Sequence, residues 1–242
     1  FNNVESPFHV VLLIDTSNST AFKIDQIQSA AVAFVRQLRR DDKVMVVSFD
    51  SDIHVQSEFT SDQDLLRQAI YQTRNGGSTK LYDAVDWVIN QRLAKVEGRK
   101  AIVLFTDGVD TSSRRATARS NISLVEESDV LVYPIQYDTE GQMNRQRGGY
   151  PGGRQQGPIW GSPFPGGRRR FPLNFLTEPQ IVIGRQGNAG DYRAAGIYLE
   201  DLAIHSGGRR QSGNSLEEVS RAFSSIAEEL RHQYSIGYYP TN

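Results

Sequence analysis

Phe8 to Ser19, FHVVLLIDTSNS, constrains this chain more than any other stretch. His9 to Ile14 is too short for a buried helix with its own caps and is rich in Val, Leu and Ile at consecutive positions. That is the pattern of a parallel strand covered on both faces, so the chain is expected to be α/β. Asp15, Ser17 and Ser19 then fall at the carboxyl end of the strand, where open α/β sheets gather their ligand-binding loops. A carboxylate and two hydroxyls, with no Cys or His among them, form a hard oxygen set. It suits Mg²⁺, Ca²⁺ or Mn²⁺ rather than zinc.

Two later segments carry matching chemistry. Thr79 sits in Gly76-Gly77-Ser78-Thr79-Lys80-Leu81, and Asp107 ends the apolar run Val103-Leu104-Phe105-Thr106-Asp107. The stretch Asp15-Thr16-Ser17-Asn18-Ser19 resembles the DxSxS signature of the von Willebrand factor A (VWA) domain family. Thr79 and Asp107 match, in order, the two remaining pieces of that family's metal-ion-dependent adhesion site (MIDAS). The resemblance is nearest to bacterial VWA-related proteins and covers nearly the whole chain.

That resemblance implies a Rossmann-like fold: a doubly wound, mostly parallel six-stranded sheet with one antiparallel edge strand and helices on both faces. It implies a single domain over residues 1–242, interrupted by a Gly/Pro/Arg-rich insertion at about 138–190. In such a site Ser17 and Ser19 coordinate the metal directly, Thr79 does so directly or through water, and Asp15 and Asp107 act directly or through ordered water. The cation is expected to be Mg²⁺, with Mn²⁺ or Ca²⁺ as alternatives, and Gly76, Gly77, Ser78 and Gly108 are expected on the rim. An ion ligated mainly by neutral hydroxyls favours an Asp or Glu supplied by a protein partner, the basis of a cell-adhesion contact.

The rest of the chain fills in that architecture. Phe22 to Arg40 carries Ile27, Ala31, Phe34 and Leu38 on one helical face. Lys43–Phe49 and Ile53–Phe59 read as a second strand and a short edge strand. Thr60 and Ser61 offer N-cap oxygens to a helix from Asp62 to about Thr73, with Leu65, Leu66, Ala69 and Ile70 turned inward. The glycines at 76 and 77 are expected to take backbone angles closed to other residues, and the next helix carries Leu81, Val85 and Val88. Lys100–Thr106 and Val130–Tyr137 are further strands, joined by a helix from about Arg114 to Glu127. Near the end come a short helix at Tyr198–Ala203 closed by Gly207-Gly208, a short strand at Arg209–Gln211, and a helix from Ser215 to His232. Ser215 and Glu218 match a capping box, and Tyr234–Tyr239 is expected to close the sheet.

Composition narrows the function classes. The net charge of −1 gives no pull toward nucleic acid or membrane, and the lack of cysteine removes disulfides, thiolate zinc sites and a cysteine nucleophile. No apolar run approaches the roughly 20 residues of a membrane helix. A start at Phe1 rather than Met is expected of a processed or trimmed fragment without its targeting signal; extracytoplasmic or secreted localisation is the expectation. From Gly141 to Arg170 there is no acidic residue. This reads as a surface insertion, with a cationic arm (Arg145, Arg147, Arg154, Arg168 to Arg170, with Tyr150, Trp160 and Phe164) as the alternative.

Other readings stay open at this level. An Asp followed by hydroxyls also suits a turn that hydrogen-bonds its own backbone. A Mg²⁺-dependent phosphotransferase of haloacid-dehalogenase type also begins from an Asp after the first strand, but it wants a second carboxylate where this chain has Ser17. A third reading is a scaffold with a vestigial metal site. Asp50, Asp83 and Asp110 are expected to be partners of the ligating residues or solvated turn residues rather than ligands, and His9, His54, His205 and His232 to be packing or surface residues. In adhesion relatives ligand binding moves the C-terminal helix, here Ser215 to His232.

Overall fold

The structure is a computed structural model that describes residues 7–137 and 189–232. Among these residues six strands form one sheet in the order β3-β2-β1-β4-β5-β6: β1 (Phe8–Asp15), β2 (Lys43–Phe49), β3 (Ile53–Thr60), β4 (Arg99–Thr106), β5 (Val130–Gln136) and β6 (Gln211–Ser212). All neighbours are parallel except β2 and β3, which form the antiparallel edge. The doubly wound, mostly parallel sheet with one antiparallel edge strand is therefore as the sequence predicts.

Among the described residues six α-helices cover it: α1 (Ile24–Val35), α2 (Gln63–Gln72), α3 (Leu81–Trp87), α4 (Ala118–Glu127), α5 (Ala189–Ser206) and α6 (Leu216–His232). Alternate residues of β1 point to opposite faces. Val10, Leu12 and Ile14 pack with α1, α2 and α6; Val11 and Leu13 pack with α3, α4 and α5. Each of these β1 side chains is fully buried, and each contributes roughly 1.5–3 kcal/mol of transfer free energy. Phe223 of α6 ties one layer together, its ring 4.7 Å from Phe34 of α1 and 4.9 Å from Phe105 of β4. Among the described residues no helix is long and apolar enough to cross a membrane.

Several boundaries differ from the sequence expectation, each for a local reason. Helix α1 is shorter than Phe22–Arg40, entered through a 3₁₀ turn at Ala21–Lys23. The N-cap of α2 is Asp62, whose Oδ1 accepts the backbone N–H groups of Asp64 and Leu65; Thr60 Oγ1 instead accepts the N–H of Asp62. Leu66, Ala69 and Ile70 are buried as expected, but Leu65 is 52% exposed, because the i, i+3, i+4 stripe of those three residues leaves Leu65 about a quarter turn off its centre. Helix α4 starts at Ala118 rather than Arg114 because Thr117 and Ser120 form its capping box.

The short helix expected at Tyr198–Ala203 is the second half of α5, which stops at Gly207 with φ +80°. The expected strand at Arg209–Gln211 lies slightly later, at Gln211–Ser212. At the start of α6, Ser215 Oγ accepts the N–H of Glu218, while the Glu218 carboxylate reaches further back, to the N–H of Asn214 and the hydroxyl of Ser212. Val219, Phe223, Ile226 and Leu230 are all buried. His9 packs edge-on against Phe59, and His54 and His205 sit beside Asp50 and Glu126. The insertion with its cationic arm and the strand at Tyr234–Tyr239 lie outside the described residues.

Candidate metal centre

Strand order brings the candidate ligands together. From β1 the chain proceeds outward to β2 and β3 on one side, then returns to build β4, β5 and β6 on the other. The carboxyl ends of β1 and β4 therefore flank the topological switch point, where loops leave in opposite directions and open a crevice. Asp15 ends β1 and Asp107 follows β4. Ile14 is registered against Phe105, so Asp15 falls level with Thr106, whose hydroxyl donates to Asp15 Oδ2 at 2.7 Å.

The first loop is held by its own side chains. Asp15 Oδ1 accepts the N–H of Ser17 at 3.0 Å, so the turn-forming role of this Asp is realised. It does not exhaust the carboxylate, because each oxygen carries two lone pairs. Ser17 Oγ and Ser19 Oγ lie 3.1 Å apart, and Thr20 Oγ1 reaches back to the carbonyls of Asp15 and Ser17 at 3.0 and 2.8 Å. Asp15 and Ser17 are buried and Ser19 half-buried.

The second loop is locked to the first. Gly76 N–H donates to the carbonyl of Thr16 at 2.7 Å, and Asn18 N–H to the carbonyl of Gly77 at 3.1 Å. Neither glycine has a positive φ, so the expected need for unusual backbone angles is not the reason for them. At Gly76 the reason is space: a Cβ there would lie 1.6 Å from Asp50 Oδ2 and 2.2 Å from its Cγ. Thr79 is buried beyond this turn. Its N–H donates to Thr111 Oγ1 at 2.8 Å, and its carbonyl accepts from the N–H groups of Thr111 and Ser112.

The third loop positions Asp107, whose Oδ1 accepts the N–H of Val109 at 3.0 Å. Gly108 has φ +87°, and a side chain there would meet Leu199 of α5. Behind it, Gln136 Nε2 donates to the carbonyl of Asp107 at 3.2 Å, while Arg210 Nη1 donates to Gln136 Oε1 at 2.8 Å. Arg210 is itself paired with Glu200 at 2.6 Å. Asp83 accepts the backbone N–H groups of Arg114, Arg115 and Ala116, and Asp110 accepts from Tyr82 N–H and the Ser113 hydroxyl. With Asp50, these acids are loop supports, as their positions suggest. Thr20, Thr106, Thr111 and Gln136 were not singled out in the sequence; only Thr106, adjacent to Asp107, carried any signal.

The electrostatics of this crevice favour a cation. Asp15 and Asp107 are 0% and 1% exposed. Burial, and next the charge of Asp107, push the Asp15 carboxyl up to about 7 against the hydrogen bonds from Ser17 and Thr106. Burial and the same two carboxylates hold the Tyr137 hydroxyl protonated. Among the described residues no group of three or more His, Cys, Asp or Glu side chains is placed to hold a metal. A cation here would therefore draw its remaining donors from hydroxyls, and Ser17 and Ser19 offer two on the first loop, their Oγ atoms 3.1 Å apart. All-oxygen donors and two buried carboxylates close enough to perturb each other fit a hard divalent ion.

Comparison with known proteins agrees with this architecture. Residues 10–109 match the family model described as von Willebrand factor type A domain. No curated protein matches the chain in sequence. The fold is similar to that of an aerotolerance-related membrane protein from Bacteroides fragilis NCTC 9343, with TM-score 0.57 and 16% identity over 92% of this chain and 99% of that one. It is similar also to the vWF domain of the type V pili tip protein Mfa5 from Porphyromonas gingivalis (TM-score 0.52, 15% identity, 97% and 98% covered). A third likeness is to proximal thread matrix protein 1 from the mussel byssus, solved with a zinc-occupied MIDAS motif (TM-score 0.60, 13% identity, 93% of this chain and 46% of that one). Residues 10–109, which include Asp15, Ser17, Ser19, Thr79 and Asp107, are thus similar to the von Willebrand factor type A domain model, and the sheet built around them has the fold of the solved structures it resembles.

Proposed function

We propose that the chain is a metal-dependent protein-binding module. Asp15, Ser17, Ser19, Thr79 and Asp107 hold one divalent cation, and an Asp or Glu of a partner protein completes its ligand set. The observation that carries this reading is the pair of buried carboxylates, Asp15 and Asp107, that the β1–β4 pairing brings to one crevice at the switch point of the sheet. Domains of this type serve as adhesion and protein-interaction modules, which supports it. Mg²⁺ is the ion best suited to the oxygen donors, with Mn²⁺ or Ca²⁺ as alternatives.

When bound, the cation supplies positive charge and an open position for an anionic ligand. The protein's own residues do the remaining work. Thr106 and Ser17 fix the two oxygens of Asp15, the Gly76–Gly77 turn clamps the Thr79 loop against the first loop, and Gln136 braces the Asp107 backbone. This rigidity lowers the ordering cost of binding. Ser17 stands where a haloacid-dehalogenase-type enzyme places its acid–base carboxylate, and its hydroxyl lies against Ser19, so the geometry supports binding over phosphoryl transfer. The membrane and pilus proteins of similar fold support an extracytoplasmic location.

Calorimetric titration of Mg²⁺ and Mn²⁺ into wild type and Asp15→Ala, after EDTA and dialysis, tests the proposal. One binding site lost in the variant is expected. Undiminished binding in Asp15→Ala, or none in wild type, would overturn the metal assignment.

A further inference from the structure

Beside the metal centre lies a cleft of about 520 Å³ that the proposed function leaves unused. Its size is in the range that seats several side chains. Lys80, which directly follows Thr79, lines it, so the cleft starts where the metal-site loop ends. The β2–β3 turn at Asp52 and Ile53 forms one wall, Asp83 and Trp87 of α3 another, and Arg114 and Arg115 a third.

Three acidic and three basic side chains line the cleft and their formal charges cancel, but the charges are not equally engaged. Asp52 is paired with Lys80 Nζ at 3.1 Å. Asp83 is turned onto the backbone N–H groups of residues 114–116. Asp86 accepts from the neutral amide of Asn90. The guanidinium groups of Arg114 and Arg115 are exposed and make no ion pair among the described residues. Holding their backbone through Asp83 fixes where these two cations start without neutralising them.

The apolar part of the cleft is equally fixed. Arg92 lies over the Trp87 ring at 4.8 Å, and Glu58 anchors that guanidinium at 3.3 Å. Trp87, half-buried beside Ile53, is thus a preorganised aromatic platform of the kind that dominates binding energy at interfaces.

We propose that this cleft receives the segment flanking the partner's metal-coordinating Asp or Glu, and that this segment is acidic with an aromatic residue seated on Trp87. The inference rests on the metal-bridged reading of the site, to which it adds the chemistry of the partner. Arg114 and Arg115 select the flanking acids, and Trp87 takes the ring.

The test uses two short synthetic peptides, each with one central Asp. One carries flanking Glu and Phe residues; the other has Lys in place of each Glu. They are titrated into isotope-labelled protein in Mg²⁺ at low salt, with amide and indole NMR shifts as the readout. The Glu peptide is expected to bind roughly tenfold more tightly than the Lys peptide, shifting the signals of Lys80, Trp87, Arg114 and Arg115. Arg114→Glu/Arg115→Glu should reverse that preference and leave calorimetric Mg²⁺ affinity intact. Equal binding of both peptides, no binding of either, or a preference that survives the charge reversal overturns the proposal. Metal-dependent binding without a charge preference would leave the metal reading standing while the cleft assignment falls. A Glu preference that persists in EDTA and in Asp15→Ala would support the cleft and remove the metal bridge.

Discussion

Gly76→Ala is the most direct probe of how the Thr79 loop is held. The added Cβ would sit 1.6, 2.2 and 2.7 Å from Oδ2, Cγ and Cβ of Asp50. Rotating the Asp50 side chain relieves the first two contacts and not the third, so backbone must also move. That backbone is pinned by Lys80 N–H to the carbonyl of Asp50 and by Asp50 N–H to the carbonyl of Asp52, each at 2.9 Å. Rotation also sacrifices the bond from Asp52 N–H to Asp50 Oδ1 at 2.9 Å, worth about 1 kcal/mol. Overpacking adds roughly 1–3 kcal/mol, and the lower chain entropy of Ala returns about 0.4–1 kcal/mol. The net expectation, from these magnitudes, is a loss of about 1–3.5 kcal/mol in urea unfolding. Asp50→Ala deletes the two closest clashing atoms, so Gly76→Ala/Asp50→Ala should cost at least about 1 kcal/mol less than the sum of the single variants. Mg²⁺ affinity should fall with Gly76→Ala, since its N–H holds the carbonyl of Thr16. Strict additivity in the cycle, or a single-variant loss under about 0.5 kcal/mol, would refute the steric account.

Three further substitutions probe other parts of the assembly. Asp83→Asn replaces a carboxylate that accepts three backbone N–H groups and should cost about 1–2 kcal/mol at neutral pH. Burial alone would raise the Asp83 carboxyl, but those N–H donors and Lys80 together hold it below its ordinary value. Its contribution is therefore present above the ordinary 3.8 and is lost as pH falls through the depressed value, so the gap between wild type and variant should close in acid denaturation curves taken below pH 3.8. Phe223→Ala empties the space between α1, β4 and α6 and should cost about 3–5 kcal/mol in urea unfolding. Gln136→Leu should weaken calorimetric Mg²⁺ affinity roughly tenfold while shifting the thermal midpoint little, as expected for a residue that braces a ligand without touching the ion.

The fold was legible where one residue type can do only one thing. Consecutive apolar residues at Val10–Ile14 and Ala101–Phe105 cannot sit on a half-wet sheet, so the buried parallel core followed directly from them. The ladder did not announce where helices begin, because caps depend on which oxygen wins a local competition. Asp62 beats Thr60 and Ser61 at α2 because its carboxylate spans two N–H groups at once. Leu65 fails to be buried for a phase reason that two adjacent leucines conceal.

The candidate site divides in the same way. Asp15, Ser17 and Ser19 lie within one short loop, so their proximity is local and visible in the sequence. Asp107 lies far along the chain and joins them only because β4 returns to pair with β1 after β2 and β3 have taken the other side. Residue spacing does not encode that strand order. Less visible still are the supports: Gln136, Thr111 and Asp83 act through backbone groups, which every residue possesses and which therefore leave no compositional trace. Gly76 shows the limit most clearly. Its sequence suggests freedom of backbone angle, whereas its structural role is the absence of a Cβ beside Asp50. The residue type is the same under both accounts, and only the neighbouring carboxylate decides between them.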